Sequence, residues 1–165
     1  MKNSIEKVVV NTSFGKQATA MSDFESKVLP EIRTELAAII GQMPQVRPAR
    51  KSIAGFKLRE GMAVGMRATL RGAKARQFVS RVVNIVLPRI RDFRGIKLSG
   101  IDRDGNLTFG IKEHIVFPEI VLEESKANFG LQITVVPREP MENEEAIAFY
   151  RELGIPFEKE AVATR

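Results

Sequence analysis

The stretch Met62–Arg71, MAVGMRATLR, alternates strictly. Val64, Met66, Ala68 and Leu70 fall on one side of an extended chain, and Gly65, Arg67, Thr69 and Arg71 fall on the other. A strand of this kind has one face to bury and one to leave in water, the pattern of an antiparallel sheet rather than of a parallel sheet covered on both sides. Neighbouring segments agree. Ile5–Thr12 (IEKVVVNT) is short and β-branched. Gln45–Lys51 (QVRPARK) is a further candidate strand that Pro48 places at an edge or distorts. Leu107–Ile111 and Leu131–Val136 complete the set.

Three helices are predicted between them. The first runs from a capping box at Ser22 and Glu25 to about Ile40, with Leu29, Ile32, Leu36, Ile39 and Ile40 at helical spacing. Pro30 either bends it or marks where its regular part begins, and Gly41 stops it. The second, Ala73–Leu87, carries a core stripe of Ala75, Phe78, Val79, Val82, Val83 and Val86, and Pro88 ends it. The third, Met141–Leu153, is acidic and amphipathic. Ser13–Thr19 around Gly15, Ser52–Gly61 and Asp102–Asn106 read as loops or turns, and the tail to Arg165 as loose. The expectation is an α+β fold, a mostly antiparallel sheet with helices packed on one face, as a single domain over residues 1–165. Its open face would carry Asn11, Arg67, Thr69, Arg71, Gln132 and Thr134.

Charge is distributed unevenly along this framework. Between Gln45 and Lys97 there are 14 Lys/Arg against two acids, Glu60 and Asp92, a local charge of +12, whereas the rest of the chain holds 12 bases and 18 acids. So much like charge in a third of a domain repels itself unless a polyanion neutralises it. Nucleic acid is the leading partner; an anionic membrane surface and a merely solvated face are the alternatives. No cysteine is present, which excludes disulfides, Cys-ligated metals and thiol chemistry. One histidine, His114, supports neither a multi-histidine metal site nor a catalytic triad, and reads as structural. Asp102-Arg-Asp104-Gly105-Asn106 has the outline of a calcium loop, but its sixth place is Leu107 where glycine is required, so it reads as a turn. No phosphate-binding glycine motif occurs. No apolar run approaches the roughly 20 residues of a membrane helix, and the N-terminus has no secretory core. The expectation is a cytoplasmic protein with no cofactor and no metal.

The basic residues are mostly arginine, whose planar fork suits phosphates and base edges. Arg50 and Lys51 precede the Ser52–Gly61 loop, and Lys57 and Arg59 lie within it beside Phe56, which either tucks under the loop or stacks on a base or ribose. Arg67 and Arg71 share a strand face, and Arg89, Arg91 and Arg94 follow the second helix. Fixed arginines beside small hydrogen-bonding residues such as Thr69 and Asn11 suit structured RNA, which is read through shape, phosphates and 2′-hydroxyls. The second helix is too poor in polar side chains to serve as a DNA recognition helix. A structural RNA-binding module is favoured over a regulatory or architectural RNA binder. An enzyme with a phosphorylated substrate lacks a convergent acid/base pair.

Three motifs, ARKSIAGFKLREG (Ala49–Gly61), ATLRG (Ala68–Gly72) and PRIRDFRG (Pro88–Gly95), resemble the bacterial-type large-subunit ribosomal protein L-five family. IEKVVVN (Ile5–Asn11), AAIIGQMP (Ala37–Pro44) and IVFPEI (Ile115–Ile120) fit the same family in the same order. The resemblance implies a non-enzymatic component of the large ribosomal subunit, in the cytoplasm. It would sit in the central protuberance, bound to 5S rRNA and in contact with large-subunit rRNA. It would also touch peptidyl-site tRNA and help form a bridge to a small-subunit head protein. By the same resemblance, 5S rRNA contacts fall to Asn11, Gln42, Thr69 and Arg71. The tRNA-facing loop is Ser52–Gly61, with Ser52, Phe56, Lys57 and Arg59; Arg50, Lys51, Arg67, Arg89, Arg91 and Arg94 are further RNA contacts. Family members carry a helical stretch before the first strand, whereas this sequence opens almost at the strand, and Ile155-Pro156-Phe157 stands at the family's Phe-Pro-Phe-like ending.

Overall fold

Residues 4–121, 123, 125 and 127–158 are described by the computed structural model. The tail beyond them, expected to be loose, lies outside the described residues. Five strands, β1 (Ile5–Ser13), β2 (Gln45–Pro48), β3 (Ala63–Arg71), β4 (Leu107–Ile111) and β5 (Leu131–Pro137), form one antiparallel sheet in the order β2-β3-β1-β5-β4. The helices are α1 (Gly15–Ala20), α2 (Leu29–Ile40), α3 (Gly72–Arg81), the single turn α4 (Leu87–Arg89) and α5 (Asn143–Glu152). The α+β expectation holds. No helix among the described residues is long and apolar enough to cross a membrane.

Side-chain alternation gives the sheet its two faces. Val8, Val10 and Thr12 on β1, Met66, Ala68 and Leu70 on β3, and Leu131, Ile133 and Val135 on β5 are buried. Between them Asn11, Thr69 and Thr134 are half-buried, and Arg67, Arg71 and Gln132 are exposed. Val64 departs from its expected place in the core and is half-buried. The pairing steps from Arg47–Gly65 to Pro48–Ala63, one residue on β2 against two on β3, so β3 bulges at Val64 and its alternation slips there. Gly65 is needed at this point, because a Cβ would lie 2.7 Å from the Thr12 carbonyl oxygen on β1. β2 is an edge strand, as Pro48 requires.

Two helical segments accommodate proline in the same way. Before α2 a π-helical turn spans Phe24–Val28, with the Leu29 N–H donating to the Phe24 carbonyl; before α4 another spans Val82–Val86, with the Leu87 N–H donating to the Val82 carbonyl. Each runs into the proline of a Val-Leu-Pro sequence, Pro30 or Pro88. Proline lacks an N–H and its ring crowds the carbonyl four residues back, and a widened turn ahead of it removes that conflict. Pro30 thus opens α2, one of the two expected outcomes. Pro88, expected to end the helix, instead sits inside one last turn, and the chain turns extended at Ile90.

Two further expectations fail. Ser13–Thr19, read as a loop, is helical from Gly15 onward as part of α1, held by buried Phe14 and Ala18, with Phe14 packed on Phe24 at 5.1 Å between ring centres. The capping box at Ser22 and Glu25 does not form: the Glu25 carboxylate accepts from the Ala63 N–H on β3 at 3.3 Å instead.

The contacts divide the chain into two compact units. One comprises Met1–Val8, Arg71–Phe109 and Thr134–Arg165. Its core includes Tyr150 on α5, whose hydroxyl lies 2.7 Å from the Gly105 carbonyl and 3.1 Å from that of Val135, and accepts from the Leu107 N–H at 3.1 Å. Burial drives the phenol's pKa up. The Asp102 carboxylate closes the turn before β4 by accepting from the N–H groups of Asp104 and Asn106 and from the Asn106 amide. Burial opposes its charge, but these bonds outweigh it and hold the carboxyl below the ordinary range. The other unit comprises Val9–Leu70 and Gly110–Ile133. Here His114 is fully buried, stacked on Phe129 at 4.0 Å, with Nε2 3.0 Å from both Ser125 Oγ and Glu35 Oε2. Its structural role is as read from the sequence.

Candidate RNA interface

The residues assigned to RNA reach the surface by different local routes. Gly41 ends α2 in the left-handed region (φ 77°) and turns the chain into Gln42. β2 reaches only as far as Gln45 opposite Arg67, so Thr69 lies past its end. The Gln42 amide takes the place of the missing strand by donating from Nε2 to the Thr69 carbonyl at 3.1 Å. Two candidate contacts 27 residues apart are thereby joined, next to the exposed Arg67. Asn11 is half-buried on β1, the strand hydrogen-bonded beside β3.

Arg71 ends β3 with an exposed side chain, and its Nη1 donates to Glu6 Oε1 at 2.9 Å. This hydrogen bond, aided by Lys7, holds the Glu6 carboxyl below its ordinary pKa. Glu6 was not singled out from the sequence. A carboxylate 65 residues away from its arginine leaves no local signal.

The Ser52–Gly61 loop is a small hydrogen-bonded projection. Ile53 and Leu58 exchange backbone bonds of 2.9 and 3.1 Å around a 3₁₀ turn, Ala54–Phe56, and Lys57 reverses the chain in the left-handed region (φ 52°). Ser52 Oγ accepts from the Glu60 N–H at 2.9 Å, and the base is tied by the Gly61 N–H to the Ala49 carbonyl. Phe56 is 75% exposed, which decides between its two readings: it does not tuck under the loop. Arg50, Lys51, Lys57 and Arg59, in and just before the loop, are all exposed.

Arg89, Arg91 and Arg94 are exposed on the irregular segment after α4. That segment is fixed from behind. The Ile96 N–H donates to the Pro156 carbonyl and the Glu158 N–H to the Ile96 carbonyl. Among the described residues no group of three or more acidic, His or Cys side chains is placed to hold a metal ion.

Comparison with known proteins is consistent along the chain. Residues 2–59 match the family described as ribosomal protein L5, and residues 63–157 match the model of the same family's C-terminus. The large ribosomal subunit protein uL5 of Spiroplasma kunkelii is 46% identical over 155 residues, covering 94% of this chain and 83% of the relative. That of Rubrobacter xylanophilus is 45% identical over 154 residues, covering 93% and 82%. That of Syntrophotalea carbinolica is 45% identical over 157 residues, covering 95% and 82%. With both family segments matched in order and relatives aligned over most of their length, this chain belongs to the ribosomal protein L5 family.

Proposed function

We propose that the chain is a structural, non-enzymatic component of the large ribosomal subunit that binds 5S rRNA through Asn11, Gln42, Thr69 and Arg71. The Ser52–Gly61 loop faces peptidyl-site tRNA. Arg50, Lys51, Arg67, Arg89, Arg91 and Arg94 add phosphate contacts, large-subunit rRNA included. The subunit position is the central protuberance, with a bridge to the small-subunit head, on ribosomes in the cytoplasm. The observation that carries the reading is the Gln42–Thr69 hydrogen bond beside exposed Arg67. It fixes neutral polar groups beside a positively charged side chain, the combination that suits reading of RNA shape, phosphates and 2′-hydroxyls.

The test is whether 5S rRNA copurifies with the protein from cells, and whether purified protein binds 5S rRNA with an affinity that falls steeply with salt. A log–log slope on the order of −4 to −8 is expected for several neutralised phosphates. Absence of the RNA, or a slope near zero, refutes the assignment. Deleting residues 54–59 should leave the fold and 5S rRNA binding close to wild type and weaken retention of tRNA at the peptidyl site. Loss of 5S rRNA binding with an intact circular dichroism spectrum would show that the two RNA surfaces are exchanged.

A further inference from the structure

Among the described residues, Arg71 differs from the other arginines assigned to RNA. Arg50, Arg67, Arg89, Arg91 and Arg94 are exposed without an ion pair, whereas Arg71 is held by Glu6 at 2.9 Å. Glu6 is the one acidic residue of β1, and Arg71 lies in a stretch from Gln45 to Lys97 whose own acids are only Glu60 and Asp92. The pairing is two-sided: Glu6 Oε1 also lies 3.8 Å from Lys7 Nζ. A carboxylate beside a phosphate-binding arginine weakens its attraction for any polyanion. It also restrains the guanidinium, since one N–H is engaged and the remaining donors point in fixed directions.

We infer that Glu6 is a positioning residue for RNA recognition, which holds the Arg71 guanidinium in place and discourages indiscriminate phosphate binding, so that Arg71 contributes to selectivity more than to raw affinity. The inference rests on the assignment of Arg71 to the 5S rRNA contact. Selectivity of this kind needs a repulsive element as well as an attractive one, and Glu6 supplies it.

Two substitutions separate position from charge. Glu6→Gln removes the charge but keeps an oxygen that accepts from Arg71 Nη1; Glu6→Ala removes both. Both lose the ionic attraction to Arg71 and Lys7, so the difference between them reports the retained side-chain acceptor. Binding of 5S rRNA and of a scrambled RNA of equal length would be measured at one salt concentration, with thermal melts as a check on folding. Glu6→Gln should bind scrambled RNA about two- to fivefold more tightly than wild type and change 5S rRNA binding less, the size expected for an exposed charge. Glu6→Ala should bind 5S rRNA about two- to fivefold more weakly than Glu6→Gln. Equal 5S rRNA affinities for the two variants, or an unchanged scrambled-RNA affinity for Glu6→Gln, overturn the inference. Arg71→Ala is the control: wild-type 5S rRNA binding by that variant shows that the contact assignment itself has failed.

Discussion

Replacing Tyr150 with Phe removes one atom and leaves the ring in place, so its cost is read directly from the hydrogen bonds. The hydroxyl is fully buried, accepts from the Leu107 N–H at 3.1 Å and faces the carbonyls of Gly105 at 2.7 Å and Val135 at 3.1 Å. It has one proton, so it serves one carbonyl at a time, and the shorter distance favours Gly105. Without it the Leu107 N–H and the Gly105 carbonyl are both left in the core without this partner. An orphaned buried group costs roughly 1–3 kcal/mol, against which the Phe variant avoids burying a hydroxyl, so a net loss of about 2–4 kcal/mol is expected. At roughly 2–4 °C per kcal/mol for a chain of this size, the melting temperature should fall by about 4–16 °C. Urea unfolding followed by circular dichroism is the assay. The midpoint should drop with an unchanged slope, because the surface exposed on unfolding stays the same. A loss below about 0.5 kcal/mol, within the range of ordinary surface substitutions, would refute the argument that this hydroxyl joins α5 to the turn before β4.

Leu70→Ala removes a fully buried side chain from β3 and should cost about 2–5 kcal/mol in the same urea assay, while Arg71→Ala should leave the midpoint nearly unchanged and weaken 5S rRNA binding. Gly95→Ala drives a Cβ into the Glu158 nitrogen and to 2.5 Å from the Phe157 carbonyl carbon at φ 117°; a loss of at least about 1–3 kcal/mol is expected from the backbone strain alone. A calorimetric melt equal to wild type would contradict that packing. Burial lowers the His114 pKa, with Glu35 opposing it. The unfolded chain, with a histidine pKa near about 6.5, therefore binds the proton first. Stability should be full above that value, decline as pH falls from about 6.5 toward the folded pKa, and level off below it. Stability profiles of wild type and His114→Gln that run parallel across this interval would refute the linkage.

Local pattern determined a good deal of this protein. Alternation from Met66 to Arg71 names the buried and open faces of β3 correctly, because successive strand side chains point to opposite sides whatever the strand pairs with. Pro48 places β2 at an edge, since a missing N–H is tolerated only there, and the run of basic residues from Arg47 to Lys97 points to a polyanion before any fold is known. What the pattern could not determine is which partners distant groups find. The bulge that takes Val64 out of the core exists because β2 and β3 pair with one residue in excess, a property of two strands and not of either alone. Gly15–Ala20 is helical because buried Phe14 and Ala18 anchor it and Lys16, Gln17, Ala18 and Ala20 favour a helix, although a six-residue stretch opening on glycine is too short to show a periodic apolar stripe. Glu25 was legible as a cap, but the Ala63 N–H competes for the same carboxylate and wins once β3 is beside it. At the interface, exposure of the arginines was legible from their charge, whereas the Gln42–Thr69 and Glu6–Arg71 pairs join residues 27 and 65 positions apart. Hydrogen bonds over such separations depend on chain reversal and strand order, so only the tertiary structure decides which arginine is held in place and which are left free to follow phosphate.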